Sequence, residues 1–420
     1  MTAGKKIAVV GSGISGLTAG YLLSKKHQVS LFEANDYLGG HTHTEQIEID
    51  DTIYPVNTGF IVFNDRTYPN FIRLMDEIGI KSETSNMSFS VRCENTGLEY
   101  SGTSLNSLFA QRRNLLRPAF WKMVADILRF NRDALAALEK GDISASQTVG
   151  EFLQQGGYGR WFQDYYIIPM GAAIWSASFD MMRDFPLLFF LRFFKHHGLL
   201  SINNRPVWHV LTGGSSSYVE PLIAPFRQNV HINCAVKTIE RDKQGVTLCF
   251  SDGHKQQFDE VVLACHSDQA LSMLAQPTMQ EQAVLGAIGY QENDVVLHTD
   301  RRFMPNKDLA WASWNYHLPQ YTSHMAMLTY YMNLLQNFEC KTPILVTLNR
   351  TQDIDPAKIL KQYRYSHPVF TLDAMDAQQR FSQINNQQHT HYCGAYWFNG
   401  FHEDGVNSAI RVVKQLGIDW

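Results

Sequence analysis

The chain has 420 residues, of which 45% are hydrophobic, 12% aromatic and 18% charged, and its formal net charge is −4. That length exceeds what a single hydrophobic core usually organises, so two or three interleaved domains are expected. A net negative charge supplies no field to draw the chain onto nucleic acid, and no such partner is expected.

In chain order, residues 7–10 (IAVV) read as a strand buried on both faces, 11–16 as a turn and 17–26 as a helix striped by Leu17, Tyr21 and Leu22. Residues 29–32 follow as a second buried strand, which makes a right-handed βαβ unit. Residues 46–54 alternate like a hairpin, 68–78 read as a helix, and 84–101 alternate again as strands of a second sheet. From 106 to 200 the chain is mainly helical and rich in aromatics. The block 185–194 (FPLLFFLRFF), broken by Arg192, reads as a buried or interfacial helix. Strand signals at 230–239, 246–250 and 261–263 are expected to pair with the opening unit. Others lie at 295–298, 310–314, 325–330 and 344–348, and the chain closes on a helix over 405–416.

Six cysteines (Cys93, Cys234, Cys249, Cys265, Cys340 and Cys393) form no CxxC pair, which suits reduced thiols better than disulfides or zinc. The N-terminus runs straight into a strand without the apolar stretch of a leader. No apolar run approaches the roughly 18 residues of a membrane span. A cytoplasmic protein is therefore expected.

The opening motif puts Gly11, Gly13 and Gly16 at the GxGxxG positions. Gly11 permits a tight turn, Gly13 lets backbone approach a pyrophosphate, and Gly16 allows close helix–strand packing. Ile14 and Ser15 begin a helix whose free N–H groups and dipole favour phosphate. Glu33 ends the second strand, where a carboxylate accepts hydrogen bonds from ribose hydroxyls. The pair Gly39-Gly40 follows, suited to a second backbone approach. From these residues alone, an empty βαβ fold and an NAD site stay open beside FAD.

The same residues resemble the two-glycine FAD family of flavin amine oxidases, protoporphyrinogen oxidases and carotenoid desaturases. The resemblance implies an α/β fold, with a discontinuous Rossmann-like FAD-binding domain (residues 1–82, 212–285 and 385–420). An inserted α+β substrate domain would comprise 83–211 and 286–384. It places Gly39, Gly40, His41 and Thr42 beside the pyrophosphate and ribityl chain, with His41 where relatives often have arginine. The stretch NTGFIVFN (57–64) matches the approach to the isoalloxazine ring through Gly59 and Phe60. LTGGSSSYVEPL (211–222) resembles the family's glycine-rich turn, Val236 falls where a valine backbone meets adenine, and Ala264 ends a strand near the same half. CGAYWFNGFHEDGVNSAI (393–410) resembles the closing motif, which turns the backbone of Asp404, Gly405 and Val406 to the flavin. Within the superfamily the likeness is strongest to bacterial amine-oxidase-like proteins, through GGHTHT, WASWNY, YMNLLQ, VTLNR, HPVF and GFHEDG. That group is similar to a domain fused to plant cyclopropane fatty-acid synthases, which implies acyl chains as substrate.

The resemblance thus implies an FAD-dependent oxidoreductase acting by hydride transfer from an apolar, lipid-like substrate to an acceptor that the sequence does not name. Amine oxidases hold a lysine near flavin N5. On the match of 289–298 that position falls near Asn293, which disfavours amine oxidation. Two alternatives stand beside it: an amine oxidase producing hydrogen peroxide, and a non-catalytic flavin-bound partner of a lipid-modifying enzyme. His402 and Glu403 are candidates for handling protons or for bracing the turn. Trp311, Trp314, Tyr316, Tyr396 and Phe401 are candidates for the substrate pocket, or for core. The HxH pairs His41/His43 and His389/His391 have no completing carboxylate or cysteine in the pattern, so no metal is expected. Residues 112–132 read as a basic amphipathic helix with Leu116, Phe120, Val124, Ile127 and Leu128 on one face. It would suit peripheral contact with an anionic membrane or a plain domain surface.

Overall fold

The first strand, Lys6–Val10, lies at the centre of a five-stranded parallel sheet because its Ile7, Ala8 and Val9 are all fully buried. The order is Val230–His231, Gln28–Phe32, Lys6–Val10, Glu260–Leu263, Thr390–Tyr392, so both chain ends enter one sheet. A computed structural model describes residues 4–201, 203, 205–320 and 325–420; the first three residues of the expected leaderless start lie outside them.

The helix Ile14–Ser24 crosses between the first two strands with Leu17, Leu22 and Leu23 fully buried. The strands expected over 236–250 do not join this sheet. Val236–Arg241 and Val246–Phe250 form a separate antiparallel sheet with Lys255–Phe258. Their alternating burial belongs to a sheet with one wet face, whereas a central parallel strand is apolar throughout.

A seven-stranded mixed sheet forms the second layer, ordered Ile359–Val369, Gly289–His298, Leu345–Leu348, Leu328–Tyr331, Trp314–Leu318, Phe89–Cys93, Leu98–Ser101. Its edge strand Ile359–Val369 escaped the sequence reading because its pattern is largely polar. The strand expected at 310–314 begins later, after a short turn at Asp308–Ala310. The hairpin Thr44–Ile49/Thr52–Asn57 sends Ile47 and Val56 into this second core, while Ala374, Ala377 and Phe381 pack into the first.

Helices Pro118–Lys140 and Leu187–His196 cover the second core. The helix expected over 112–132 starts only at Pro118. Arg117 is extended (φ −100°, ψ 108°), as the residue before proline must be, and Arg112–Leu116 is a separate short turn. Leu116 is therefore 88% exposed while Phe120 is buried, and the single apolar face does not form. No helix among the described residues is long and apolar enough to cross a membrane.

Candidate functional site

The glycine turn divides its labour between packing and openness. A β-carbon on Gly16 would lie 2.0 Å from the Gly11 carbonyl oxygen, so helix and turn touch only through glycine. Gly11 itself has φ +101° and abuts the Ala264 carbonyl. Gly13 is different: it caps the helix Ile14–Ser24 with no side-chain hydrogen bond, and a β-carbon there would meet nothing within 4 Å. The helix N–H groups are free beside open space. Gly40, at φ +60°, folds a second glycine turn over the first, its β-carbon position 3.2 Å from Gly13 Cα.

Glu33 ties these turns together. One carboxylate oxygen accepts from Ser12 N (2.9 Å) and Ser12 Oγ (2.6 Å), the other from Asn35 N and Nδ2 (2.9 Å each). Ser12 Oγ in turn accepts from Gly39 N at 3.1 Å. The Glu33 carbonyl accepts from Cys234 N (2.8 Å), which brings Val236 to the same corner.

The closing helix, His402–Gln415, directs its N-terminus at the same place. A β-carbon on Gly405 would lie 2.6 Å from Ile14 Cγ2 and 2.9 Å from Ser15 Oγ. Two positive helix ends therefore converge. His402 Nε2 lies 2.9 Å from Thr42 Oγ1 and 3.1 Å from the Tyr218 hydroxyl, and those two hydroxyls hydrogen-bond each other. The imidazole stacks on Phe60 with ring centroids 3.5 Å apart. Burial pushes its pKa down to about 3, so it is neutral. Phe60 N donates to the His41 carbonyl (2.7 Å), and Gly59 lies directly against that carbonyl. Asp404 accepts from Phe401 N (2.9 Å), and its burial raises its pKa to about 7.

Glu403 turns away from this centre. It accepts from Asn70 N and Nδ2 (3.1 Å each) and Phe71 N (2.8 Å), capping the helix Pro69–Glu77; burial raises its pKa.

A histidine cluster stands over the glycine turns, and most of it was missed from sequence. Alternation along the edge strand puts Tyr363, Tyr365 and His367 on one face. Tyr365 and His367 pack on His41 with ring centroids 5.1 and 5.3 Å away, and His266 lies 6.2 Å from it. Burial, then its neighbouring histidines, holds His41 well below the ordinary histidine range, and its Nε2 is buried without a hydrogen bond.

The His367 tautomer follows from backbone groups. Asp294 N donates to Asn349 Oδ1 (3.0 Å), so Asn349 Nδ2 donates to the Ala326 carbonyl and to Asn293 Oδ1 (2.9 and 2.8 Å). Asn293 Nδ2 must then donate to His367 Nδ1 (3.1 Å), which leaves the proton on Nε2. Burial and then His266 push the His367 pKa down to about 4, so the ring stays neutral.

His367 also lines a cavity of about 400 Å³ whose wall includes Trp175, Ala177, Met181, Phe185 and Phe370. The five aromatics expected in a pocket do not line it. Trp311 packs in a small third core with Phe303, Trp314 and Tyr316 belong to the second core, and Tyr396 is buried in the first beside Trp397. Phe401 stacks on Phe193 at 5.0 Å. Nor does the pair His389/His391 lack a carboxylate: Glu260 lies 3.7 and 3.3 Å from them, but Lys5 Nζ holds it at 2.6 Å. Among the described residues no group of three or more His, Cys, Asp or Glu side chains is arranged so that it could hold a metal ion.

A family model described as flavin containing amine oxidoreductase matches residues 14–343. The chain belongs to that family. Protoporphyrinogen oxidase 2 of Arabidopsis thaliana is 26% identical over 198 residues, covering 44% of this chain and 35% of that protein. The 1-hydroxycarotenoid 3,4-desaturase of Flavobacterium sp. (strain P99-3) is 52% identical over 44 residues, 10% of this chain and 9% of the desaturase. The chain therefore matches well under half the length of either relative. A CLA-producing fatty acid isomerase from P. acnes shares the fold, with a TM-score of 0.71 at 16% identity and 99% of both chains covered.

The cofactor of the amine oxidoreductase family is FAD, and the residues present fit it. Open space at Gly13, two converging helix N-termini and the unpartnered His41 Nε2 are the features a dinucleotide with phosphate and ring groups requires.

Proposed function

We propose that the chain is an FAD-dependent oxidoreductase that removes hydrogen from an apolar, acyl-like substrate. The observation that carries this reading is the mainly apolar cavity walled by Trp175, Met181, Phe185 and Phe370, with Asp184 and Asp373 also in its lining, which His367 shares with its contact to His41, and with asparagine at residue 293 rather than lysine. When bound, FAD supplies an acceptor for a hydride. Gly11, Gly13, Ile14, Ser15 and Gly16, with Gly39, Gly40, His41 and Thr42, would hold its phosphates and ribityl chain. Glu33, Val236 and Ala264 would flank the adenosine, and Gly59, Phe60, Asp404, Gly405 and Val406 the ring.

The remaining residues position and dry the site. Trp175, Phe185 and Phe370 exclude water from the chain to be oxidised. His367 presents an N–H at Nε2 and so takes a hydrogen-bond acceptor on the substrate. His402, held neutral beneath Phe60, braces Thr42 and Tyr218. The desaturase and the fatty acid isomerase, both named for apolar chains, support the same reading.

Anaerobic mixing of the holoprotein with long-chain acyl lipid in detergent micelles tests it. Loss of flavin colour, with a product two hydrogens lighter by mass spectrometry, is expected. Anaerobic bleaching with primary amines or polyamines alone, followed by peroxide once oxygen is admitted, would make the protein an amine oxidase. No bleaching with either would make it a non-catalytic partner.

A further inference from the structure

The corner built by Leu105–Leu108, Arg112–Leu116 and the first turn of Pro118–Lys140 leaves large apolar side chains in water. Leu116 is 88% exposed, Leu105 77%, Trp121 48% and Leu115 46%. These groups are held in place: Trp121 Nε1 donates to the Leu115 carbonyl (2.9 Å), and the Trp121 ring packs on Phe109 at 5.1 Å. Arg112, Arg113, Arg117 and Lys122 surround them, and among the described residues none of the four forms an ion pair with a carboxylate. Arg112 and Arg113 instead hydrogen-bond to neutral groups, the Phe109 and Gly97 carbonyls (2.8 and 2.6 Å). Between Glu99 and Asp126 the sequence has no acidic residue, although the whole chain carries −4. A local positive field on a negative protein, centred on exposed leucine and tryptophan, matches phosphate headgroups over an acyl layer.

We propose that this corner docks the protein on an anionic lipid bilayer, with Leu116 and Trp121 entering the headgroup boundary and the arginines meeting lipid phosphates. A second copy of the chain would bring the same cations against themselves, which charge disfavours. The surface does not depend on the oxidoreductase reading, because binding is scored without turnover.

Co-sedimentation of the FAD-loaded protein with phosphatidylcholine vesicles, plain or doped with phosphatidylglycerol, tests it. Binding is expected only to the doped vesicles and should weaken as salt is raised. Arg112→Gln and Arg113→Gln should each lower the partition coefficient about fivefold. Leu116→Ser with Trp121→Ser should abolish binding while FAD content stays unchanged and the melting temperature falls only by what the Trp121 contacts to Leu115 and Phe109 contribute. Equal binding to both vesicle types, no binding to either, or undiminished binding by the double variant would overturn the proposal. So would a dimer in solution that the double variant dissolves while vesicle binding is absent.

Discussion

Gly405 lies against Ile14 so closely that a β-carbon on Gly405 would stand 2.6 Å from Ile14 Cγ2. The first turn of the last helix can meet the first turn of the first helix only because residue 405 has no side chain. The corner where the glycine turns meet is therefore made by the two ends of the chain together. Gly405→Ala should overpack this junction and cost about 1–3 kcal/mol. A lowered melting temperature and reduced FAD retention, measured on the same sample, are the expected results.

Gly13 and Gly16 should respond differently to the same change. Gly13 has φ −64° and an empty β-carbon position, so Gly13→Val should leave the cofactor-free protein as stable as the parent yet unable to retain FAD. Gly16→Val drives a β-carbon to 2.0 Å from the Gly11 oxygen and should prevent folding. Circular-dichroism melts of the two apoproteins separate the cases.

Glu33→Ala removes the acceptor of four hydrogen bonds and strands the donors of Ser12 and Asn35. A loss of about 1–3 kcal/mol in FAD affinity is expected, the scale for a charged hydrogen-bond partner. Fluorescence titration of the apoprotein with FAD measures it.

Asp404 ties stability to pH. Its carboxyl is raised by burial from 3.8 to about 7, so the folded state favours the protonated form. That contribution is complete below the unfolded pKa of 3.8 and is lost as pH rises through about 7. The cofactor-free protein should lose stability on this account across that interval, and Asp404→Asn should flatten the decline. Melting temperatures of both proteins across the interval check the sign.

His367→Phe should leave FAD content unaltered and raise KM about tenfold for an apolar substrate carrying a carbonyl or carboxylate, the scale of one lost hydrogen bond. Substrates without such an acceptor should be much less affected. Steady-state kinetics on a matched pair decides it.

The meeting of the glycine turns at one corner was readable because glycine and acid spacing report backbone demands directly. Gly11, Gly13, Gly16, Glu33 and Gly40 meet at one corner, and Asp404–Val406 are carried there by the closing motif. What stayed hidden depends on pairing between distant segments. His367 and Tyr365 reach His41 only through an edge strand whose polar alternation gives a weak signal, although Y-x-Y-x-H at 363–367 marks one face. Tyr218 reaches His402 from beyond a glycine turn, and Glu403 is drawn off to cap Pro69–Glu77. The break at Arg117 was written in Pro118 but outweighed by the apolar period.

The most direct measurement is the visible spectrum of freshly purified protein, followed by identification of the chromophore released on heating. A yellow protein that yields FAD in stoichiometric amount, and a colourless but folded Gly13→Val variant, are the predicted results. A colourless parent protein that takes up no FAD when it is supplied would contradict the account.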